Sequence, residues 1–131
     1  MVAMINNAIT EKYKDKVGDE FDKTIPAIFT DEPQYQRWAT PYTKMIAKYF
    51  EEEFKEDILD GLGLLFEEKE GYRSFRYRYW KGMQSLMLQN FAKKVYDWCD
   101  EHHVKLTGHY IEETSMGMQL MCCGGVMPFY E

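Results

Sequence analysis

The stretch of the sequence best suited to chemistry ends in two adjacent carboxylates. Residues 25–30 are mostly apolar, as in a buried β-strand, and Asp31 and Glu32 follow them directly. Pro33 disfavours a helical backbone at Glu32 and so favours extended geometry there. We therefore expect both carboxylates at the carboxyl end of a strand, where α/β proteins place their catalytic groups. The alternative is that Asp31 caps the next segment and Glu32 is only solvated.

A second predicted strand ends in the same way. Residues 104–111 read Val-Lys-Leu-Thr-Gly-His-Tyr-Ile, and Glu112 and Glu113 follow. Between the two strands, apolar residues recur every three or four positions from 72 to 102, which predicts a long helix. A strand, a crossover helix and a second strand form a parallel pair, so all these carboxylates should meet at one edge of the sheet. Two carboxylates on one face are what glycoside hydrolysis requires.

The alternation of side chains along a strand indicates which carboxylates face the same side. It groups Glu32 with Thr30 on the first strand, and Glu113 with His109 on the second. Glu32 and Glu113 are therefore the favoured catalytic pair, with Glu112 as the alternative to Glu113. We predict that Glu32 is the general acid, because the end of an apolar strand should leave it partly desolvated. Its partner would act as nucleophile or general base.

Further residues are candidates for binding the substrate. Asp31 and His109 lie next to the predicted pair, and Arg76 lies near the start of the long helix, which descends from the same edge of the sheet. Arg76 would keep a neighbouring carboxylate ionised, and His109 would hydrogen-bond a substrate hydroxyl or a carboxylate. His109, Glu112 and Glu113 could alternatively hold a metal, but at most two of them share a side, so we expect no metal site. His109 could also be a buried imidazole with a structural role.

The predicted elements alternate between helices and strands. In chain order they are a helix at 4–16, the strand at 25–30, a helix starting at Thr40 and Pro41, a short helical segment at 58–66, the long helix at 72–102, the strand at 104–111, a short helix at 115–121 and a third strand at 122–129. This order predicts an α/β fold with about three parallel strands and crossover helices. No linker or internal repeat divides the sequence, so residues 1–131 are expected to form a single unit.

The composition excludes some classes of partner. A net charge of −6 is unsuited to a nucleic-acid backbone, and no run of residues is long and apolar enough to predict a membrane span. The three cysteines form neither a disulfide framework nor a zinc motif, so we expect reduced, buried thiols. Residues 1–8 do not have the pattern of a signal peptide, and these features together favour a cytoplasmic location.

Four short segments, spread over most of the chain, carry a resemblance to a known family. They are residues 29–33 (Phe-Thr-Asp-Glu-Pro), 75–80 (Phe-Arg-Tyr-Arg-Tyr-Trp), 107–113 (with Thr-Gly-His and Glu-Glu) and 125–130 (Gly-Val-Met-Pro-Phe-Tyr). In this order they resemble segments of large bacterial glycoside hydrolases of the α-L-rhamnosidase-like type. The resemblance implies a (β/α)8 barrel and a glycoside substrate. It also implies catalytic carboxylates at Glu32 and at Glu112 or Glu113, and we expect no cofactor.

The length of the chain departs from that of a complete barrel. A (β/α)8 barrel takes about 250 residues, and 131 residues with about three strands cannot close one. We therefore expect a single partial-barrel segment that belongs to a larger catalytic domain and is inactive alone. The open edge of its sheet should bind the remainder of the barrel or a second copy of the chain.

The alternative function, from a different class, is a non-catalytic carbohydrate-binding or interaction module. Aromatic residues make up 16% of the chain, and exposed rings could stack on sugars. The candidates are Tyr35, Trp38, Tyr72, Tyr77 and Trp80. Of these, Trp38 and Tyr77 are also predicted to bind the substrate in the enzyme. The two functions are distinguished by whether Glu32 and Glu113 converge in one cleft.

Overall fold

The computed structural model describes residues 2–35, 39–111 and 113–130, with side chains from Thr10 onward. Its helices and strands are α1 (Val2–Val17), β1 (Ala27–Asp31), α2 (Lys44–Phe54), α3 (Ile58–Gly61), α4 (Tyr72–Met87), α5 (Lys93–Glu101), β2 (Lys105–His109) and α6 (Met116–Cys123). Single 3₁₀ turns lie at Gly18–Glu20, Leu62–Leu65 and Met127–Phe129. Helices and strands are thus mixed along the chain, and the α/β class is as expected.

Strands β1 and β2 form a parallel pair, which confirms their predicted orientation. The register runs from Ala27 opposite Lys105 to Asp31 opposite His109. The backbone N–H of Glu32 donates to the carbonyl of His109 over 3.2 Å, so the pairing continues to the end of both strands. The carboxyl ends of the two strands therefore meet at one edge of the sheet.

The predicted third strand at 122–129 is wrong, because α6 extends through Cys123 and a 3₁₀ turn occupies Met127–Phe129. Ser115 caps α6, because its hydroxyl accepts a hydrogen bond of 3.3 Å from the N–H of Met118. Helix α6 then runs through both neighbouring cysteines and ends where Gly124 adopts a positive φ of 81°. The sheet therefore has two strands in the described part of the chain, and these do not close a barrel.

The long helix predicted at 72–102 is confirmed, with one irregularity. A π-helical turn at Leu88–Ala92 joins α4 to α5. The side-chain amide of Asn90 donates to the carbonyl of Leu86 over 2.9 Å. In a regular α-helix that carbonyl accepts from the backbone N–H of Asn90, so the side chain competes with the hydrogen bond of the helix itself.

Helix α2 begins later than the sequence predicts. The N-cap is Thr43 rather than Thr40, and its hydroxyl accepts a backbone hydrogen bond of 3.3 Å at the start of the helix. The hydroxyl of Tyr79 donates to the carbonyl of Pro41. This bond holds the Thr-Pro segment against α4, and α2 starts only at Lys44.

The helices and the sheet have separate hydrophobic cores. The first core, between α2, α3 and α4, consists of Ile46, Phe50, Ile58, Phe75, Tyr79 and Met83. The second core, between the sheet and α5, consists of Phe21, Val95, Cys99 and Val104. The run from Tyr72 to Glu101 is about 45 Å long at 1.5 Å per helical residue, whereas a strand of five residues is only about 17 Å long. Because α5 returns against β2, α4 projects past the carboxyl edge of the sheet.

One face of the sheet is covered and the other is open. Ile28 and Leu106 pack against the second core. Phe29, Thr107 and His109 lie on the opposite face and are exposed. Parallel sheets are normally covered on both faces, so an open face that carries an exposed phenylalanine is unusual for this architecture.

The cysteines are buried free thiols, as their number and spacing predict. All three cysteines lie within the described residues, and each is buried and outside any disulfide. Burial raises the pKa of the Cys99 thiol and of the Cys123 thiol. Among the described helices, none combines the length and the hydropathy that crossing a membrane requires.

Candidate functional site

The carboxyl edge of the sheet is marked by a hydrogen bond between Asp31 and His109. These residues end β1 and β2 and lie opposite each other in the register. Oδ1 of Asp31 and Nε2 of His109 are 2.8 Å apart, and both side chains remain accessible to solvent. The ring of Phe29, two residues earlier on the same face of β1, lies 5.8 Å from the imidazole. The pair is thus held in place by strand register and one aromatic contact.

Three carboxylates contribute to a raised pKa of the His109 imidazole. The hydrogen bond from Asp31 is the largest cause that raises the pKa of His109 above its usual value, and slight burial opposes it. The charges of Asp31, Glu32 and Glu113 raise the pKa of His109 further. Asp31, Glu32 and Glu113 therefore all act on the charge of one side chain, and this electrostatic environment favours an imidazolium.

Glu32 occupies the predicted place on the sheet edge but not the predicted environment. Its backbone has a φ of 47°, so the extended geometry expected before Pro33 is wrong. Its side chain is exposed, so the expected partial desolvation is also wrong. The reason is that the N–H of Glu32 still pairs with β2 while the chain already turns away from the sheet. Asp31, rather than Glu32, therefore forms the direct contact with His109.

Glu113 is fixed by hydrogen bonds with the segments on either side of it. Its Oε1 accepts from the backbone N–H of Tyr110 over 3.0 Å and from the hydroxyl of Tyr130 over 3.1 Å. Its carbonyl accepts from the side-chain amide of Gln119 over 3.0 Å. Burial, followed by the bond to Glu113, raises the pKa of Tyr130. These hydrogen bonds could not be predicted from the sequence, because the one from Tyr130 depends on the turn after α6.

Two other predicted residues, Glu112 and Trp38, lie outside the described residues. The placement of Glu112 beside Glu113, and that of Trp38 near the substrate, therefore stay predictions from the sequence. Among the described residues, no group of three or more His, Cys, Asp or Glu side chains is arranged to hold a metal ion. Of the alternative metal ligands His109, Glu112 and Glu113, only His109 and Glu113 are among the described residues.

Arg76 contacts neighbouring helical residues rather than the carboxylates at the strand ends. Its Nε donates to the carbonyl of Leu64 over 2.9 Å, and its guanidinium lies 4.7 Å from the ring centre of Tyr72. Its ion pair is with Glu68, at 3.8 Å. These contacts belong to the helical part that projects beyond the sheet, so Arg76 does not form the contact that was predicted for it.

Tyr77 lines a groove between α4 and α6. On α4 the groove is formed by residues spaced at one helical face: Tyr77, Trp80, Lys81 and Gln84. On the other side it is formed by Leu120, Met121 and Gly124. The helical spacing of the first set is visible in the sequence. The packing of α6 beside α4 is not, because no local pattern specifies which helices become neighbours.

Comparison with known proteins provides no family for this chain. No protein-family model, curated protein or solved structure matches it. The function is therefore inferred from the residues around His109, from the groove beside Tyr77 and from the segments that resemble glycoside hydrolases.

Proposed function

We propose that this chain is a segment of the catalytic (β/α)8 barrel of a glycoside hydrolase of the α-L-rhamnosidase-like type. It contributes carboxylates that cleave glycosidic bonds, and it is inactive until the rest of the barrel completes the sheet. Glu32 is the general acid, and Glu113 or Glu112 is the nucleophile or general base. Asp31 and His109 bind substrate hydroxyls or adjust the charge of the site.

The observation that carries this proposal is the convergence of Asp31, Glu32 and Glu113 on His109. Asp31 and Glu32 are about 80 residues from Glu113 in the sequence, yet all three carboxylates raise the pKa of one imidazole. They stand at the carboxyl ends of parallel strands, which is where (β/α)8 enzymes have their active sites. Glycosidases place two carboxyl groups about 5–9 Å apart with the sugar between them, and acidic side chains from two strand ends suit that arrangement.

The open sheet supports the proposal that further barrel strands belong with this chain. The exposed ring of Phe29 on the uncovered face is 61% accessible. In a (β/α)8 barrel this face would point inward, where side chains from neighbouring strands fill the interior. A sheet of two strands is also marginal as an independent unit. The remainder of the barrel, or a second copy of the chain, would cover both the face and the edges.

The proposed role of Glu32 can be tested in the full-length enzyme that contains this chain. Glu32→Gln should lower turnover of natural glycosides by roughly 10²- to 10⁴-fold, because the leaving oxygen loses its proton donor. Aryl glycosides with good leaving groups need protonation least, so they should be affected least. Glu70→Gln is the matched control, since Glu70 is an exposed carboxylate in the turn before α4. Unchanged turnover of both substrate types in Glu32→Gln would remove Glu32 from the mechanism.

A second candidate function is a non-catalytic carbohydrate-binding module, which the aromatic groove beside Tyr77 favours. In that case the completed protein binds oligosaccharides but does not hydrolyse them. Product analysis after prolonged incubation with aryl glycosides separates the two functions. Detectable hydrolysis that depends on Glu32 and Glu113 supports the enzyme, and binding without hydrolysis supports the module.

A further inference from the structure

Both donors to the side chain of Glu113 bind the same carboxylate oxygen. Oε1 accepts from the backbone N–H of Tyr110 over 3.0 Å and from the hydroxyl of Tyr130 over 3.1 Å. In the described part of the chain, no donor contacts Oε2. After the hydrogen bond from Asp31, the charges of nearby carboxylates, that of Glu113 among them, raise the pKa of His109. Glu113 therefore acts at the strand ends with one oxygen held and the other open to a reactant.

The two donors belong to one aromatic cluster. The ring of Tyr110 packs against that of Phe129, with centres 4.2 Å apart, and meets the ring of Tyr130 edge-on at 6.3 Å. Phe129 ends the 3₁₀ turn at Met127–Phe129, and the backbone N–H of Tyr130 donates to the carbonyl of Met127 over 3.0 Å. The phenol of Tyr130 is thus fixed by its own turn and by Tyr110, and it fixes Oε1 of Glu113 in turn.

A phenol can orient a carboxylate without neutralising its charge. Burial, followed by the hydrogen bond with Glu113, raises the pKa of Tyr130 above 10, so its hydroxyl carries a proton at neutral pH. A hydrogen bond donated to a carboxylate favours the ionised form, which a nucleophile or general base requires. From the sequence, Arg76 was expected to supply this effect, but it pairs with Glu68 instead. Tyr130 occupies the position that was predicted for Arg76.

We propose that Tyr130 is a positioning residue for Glu113, which it holds by Oε1 so that Oε2 is the atom that reacts. As a general base, Oε2 takes a proton from the attacking water. As a nucleophile, it bonds to the anomeric carbon while Glu32 protonates the departing oxygen. The inference rests on the proposed glycoside hydrolysis, and it assigns the partner of Glu32 to Glu113. The hydrogen bond itself does not depend on catalysis and can be measured separately.

The first experiment detects the hydrogen bonds to Glu113 in the 131-residue chain by NMR. Between about pH 7 and about pH 3, where carboxylates gain a proton, the amide of Tyr110 and the ¹³Cζ resonance of Tyr130 should move with one shared midpoint. The resonance missing from Tyr130→Phe identifies Tyr130 among the 10 tyrosines. Glu113→Gln is the control and should abolish both steps. Steps that are absent from the unmodified chain, or that persist in Glu113→Gln, would overturn the inference.

The second experiment measures turnover by the full-length enzyme that contains this chain. Tyr130→Phe keeps the ring and removes only the hydroxyl, so kcat should fall about tenfold with little change in KM through loss of a charge-assisted hydrogen bond. The acidic limb of the pH–rate profile should move to higher pH, because the lost bond favours the ionised carboxylate. Tyr13→Phe is the matched control and should change neither measurement. Tyr13 lies on α1, and both tyrosines are 61% exposed.

The outcomes separate this inference from the proposed function. Turnover that requires Glu113 but not the hydroxyl of Tyr130 would overturn the positioning role and retain the glycosidase. A loss of kcat without movement of the acidic limb would assign the hydroxyl to stability alone and would also overturn the role. Unchanged turnover in Glu113→Gln would reject Glu113 as the partner of Glu32, and the positioning role with it, even where NMR shows the hydrogen bond.

Discussion

Gly108 lies directly against the backbone of Thr30, its partner in the parallel register. A Cβ atom at Gly108 would come within 2.1 Å of the carbonyl oxygen of Thr30 and 2.6 Å of its hydroxyl. Gly108 also has a φ of 145°, which disfavours residues with a side chain. The residue before His109 must therefore be glycine for the strand ends to pair and for His109 to reach Asp31.

Gly108→Ala should destabilise the chain by at least about 2 kcal/mol. A strained backbone of this kind costs about 1–3 kcal/mol, and the contact with Thr30 involves backbone atoms that cannot rotate away. The measurement is the free energy of unfolding in urea. Gly63→Ala is the control, because nothing lies within 4 Å of a Cβ built there. Equal midpoints for the two variants would show that the strands tolerate the added methyl group.

Folding stability should depend on the protonation of His109. Its pKa in the folded chain is raised above 6.5, first by the hydrogen bond with Asp31 and then by the charges of Asp31, Glu32 and Glu113. This contribution is fully present below about pH 6.5, the unfolded value, and is lost as the pH rises through the folded pKa. Urea unfolding across neutral pH should therefore show a decline in the free energy of unfolding.

Substitutions of the carboxylates identify the cause of the shift at His109. In an NMR titration of the imidazole, Asp31→Asn should lower the pKa of His109 more than Glu113→Gln does. Asp31 supplies both a hydrogen bond and a charge, whereas Glu113 supplies only a charge at longer range. Glu70→Gln, remote from the strand ends, serves as the control. If Asp31→Asn does not move the titration, the hydrogen bond is absent in solution.

The N-terminal helix should be attached more weakly when Trp98 cannot donate a hydrogen bond. Nε1 of Trp98 donates to Oε1 of Glu11 over 2.8 Å, and this bond is the largest cause that lowers the pKa of Glu11 below 4.5. A lowered pKa contributes stability above the unfolded value, which is lost as the pH falls through the folded value. Glu11→Gln should therefore reduce stability at about pH 7 and have little effect at about pH 3.

The same bond can be examined from its other partner. Trp98→Phe removes the donor and also packing against Phe21, so it should reduce stability at both pH values. Only the part of the lost free energy of unfolding that differs between about pH 7 and about pH 3 reports the hydrogen bond. That part should match the change seen with Glu11→Gln in urea unfolding. A pH-independent loss in both variants would mean that packing alone holds α1 against α5.

Gly82→Ala should destabilise the helical core although alanine is the better helix former. In an open helix the change stabilises by about 1 kcal/mol. At Gly82 the new Cβ would lie 2.6 Å from Ile46 and 2.8 Å from the ring of Tyr49, and overpacking costs about 1–3 kcal/mol. Gly117→Ala in α6 is the matched control, with no atom within 4 Å of the added carbon. Thermal unfolding should move down for Gly82→Ala and slightly up for Gly117→Ala.

Much of the fold could be predicted because its signals are local. The spacing of apolar residues located the long helix, and the apolar runs located both strands. The parallel pairing followed from the crossover between them, since parallel strands require such a connection. The convergence of Asp31, Glu32 and Glu113 is a consequence of that topology, so it too was contained in the sequence.

The errors arose where neighbouring segments compete for the same backbone. The region after Met121 has the composition of a strand, but capping by Ser115 and the positive φ at Gly124 keep it helical and then turn it. Glu32 was expected to continue the strand, yet its N–H bonds to β2 while the next residues leave to join α6. For Glu32, a hydrogen-bond partner distant in sequence decided the geometry, and local propensity cannot specify such a partner. For the segment after Met121, the local cap at Ser115 outweighed the strand-like composition.

The sequence by itself determined which chemical groups stand at the ends of the two strands and that those ends lie together. Only the tertiary structure decided that Asp31 rather than Glu32 contacts His109, because strand register fixes side-chain facing to the residue. It also decided that Arg76 pairs with Glu68 and that α4 and α6 enclose a groove. Those contacts depend on how far α4 projects beyond the sheet, a length that follows from packing and not from any single motif.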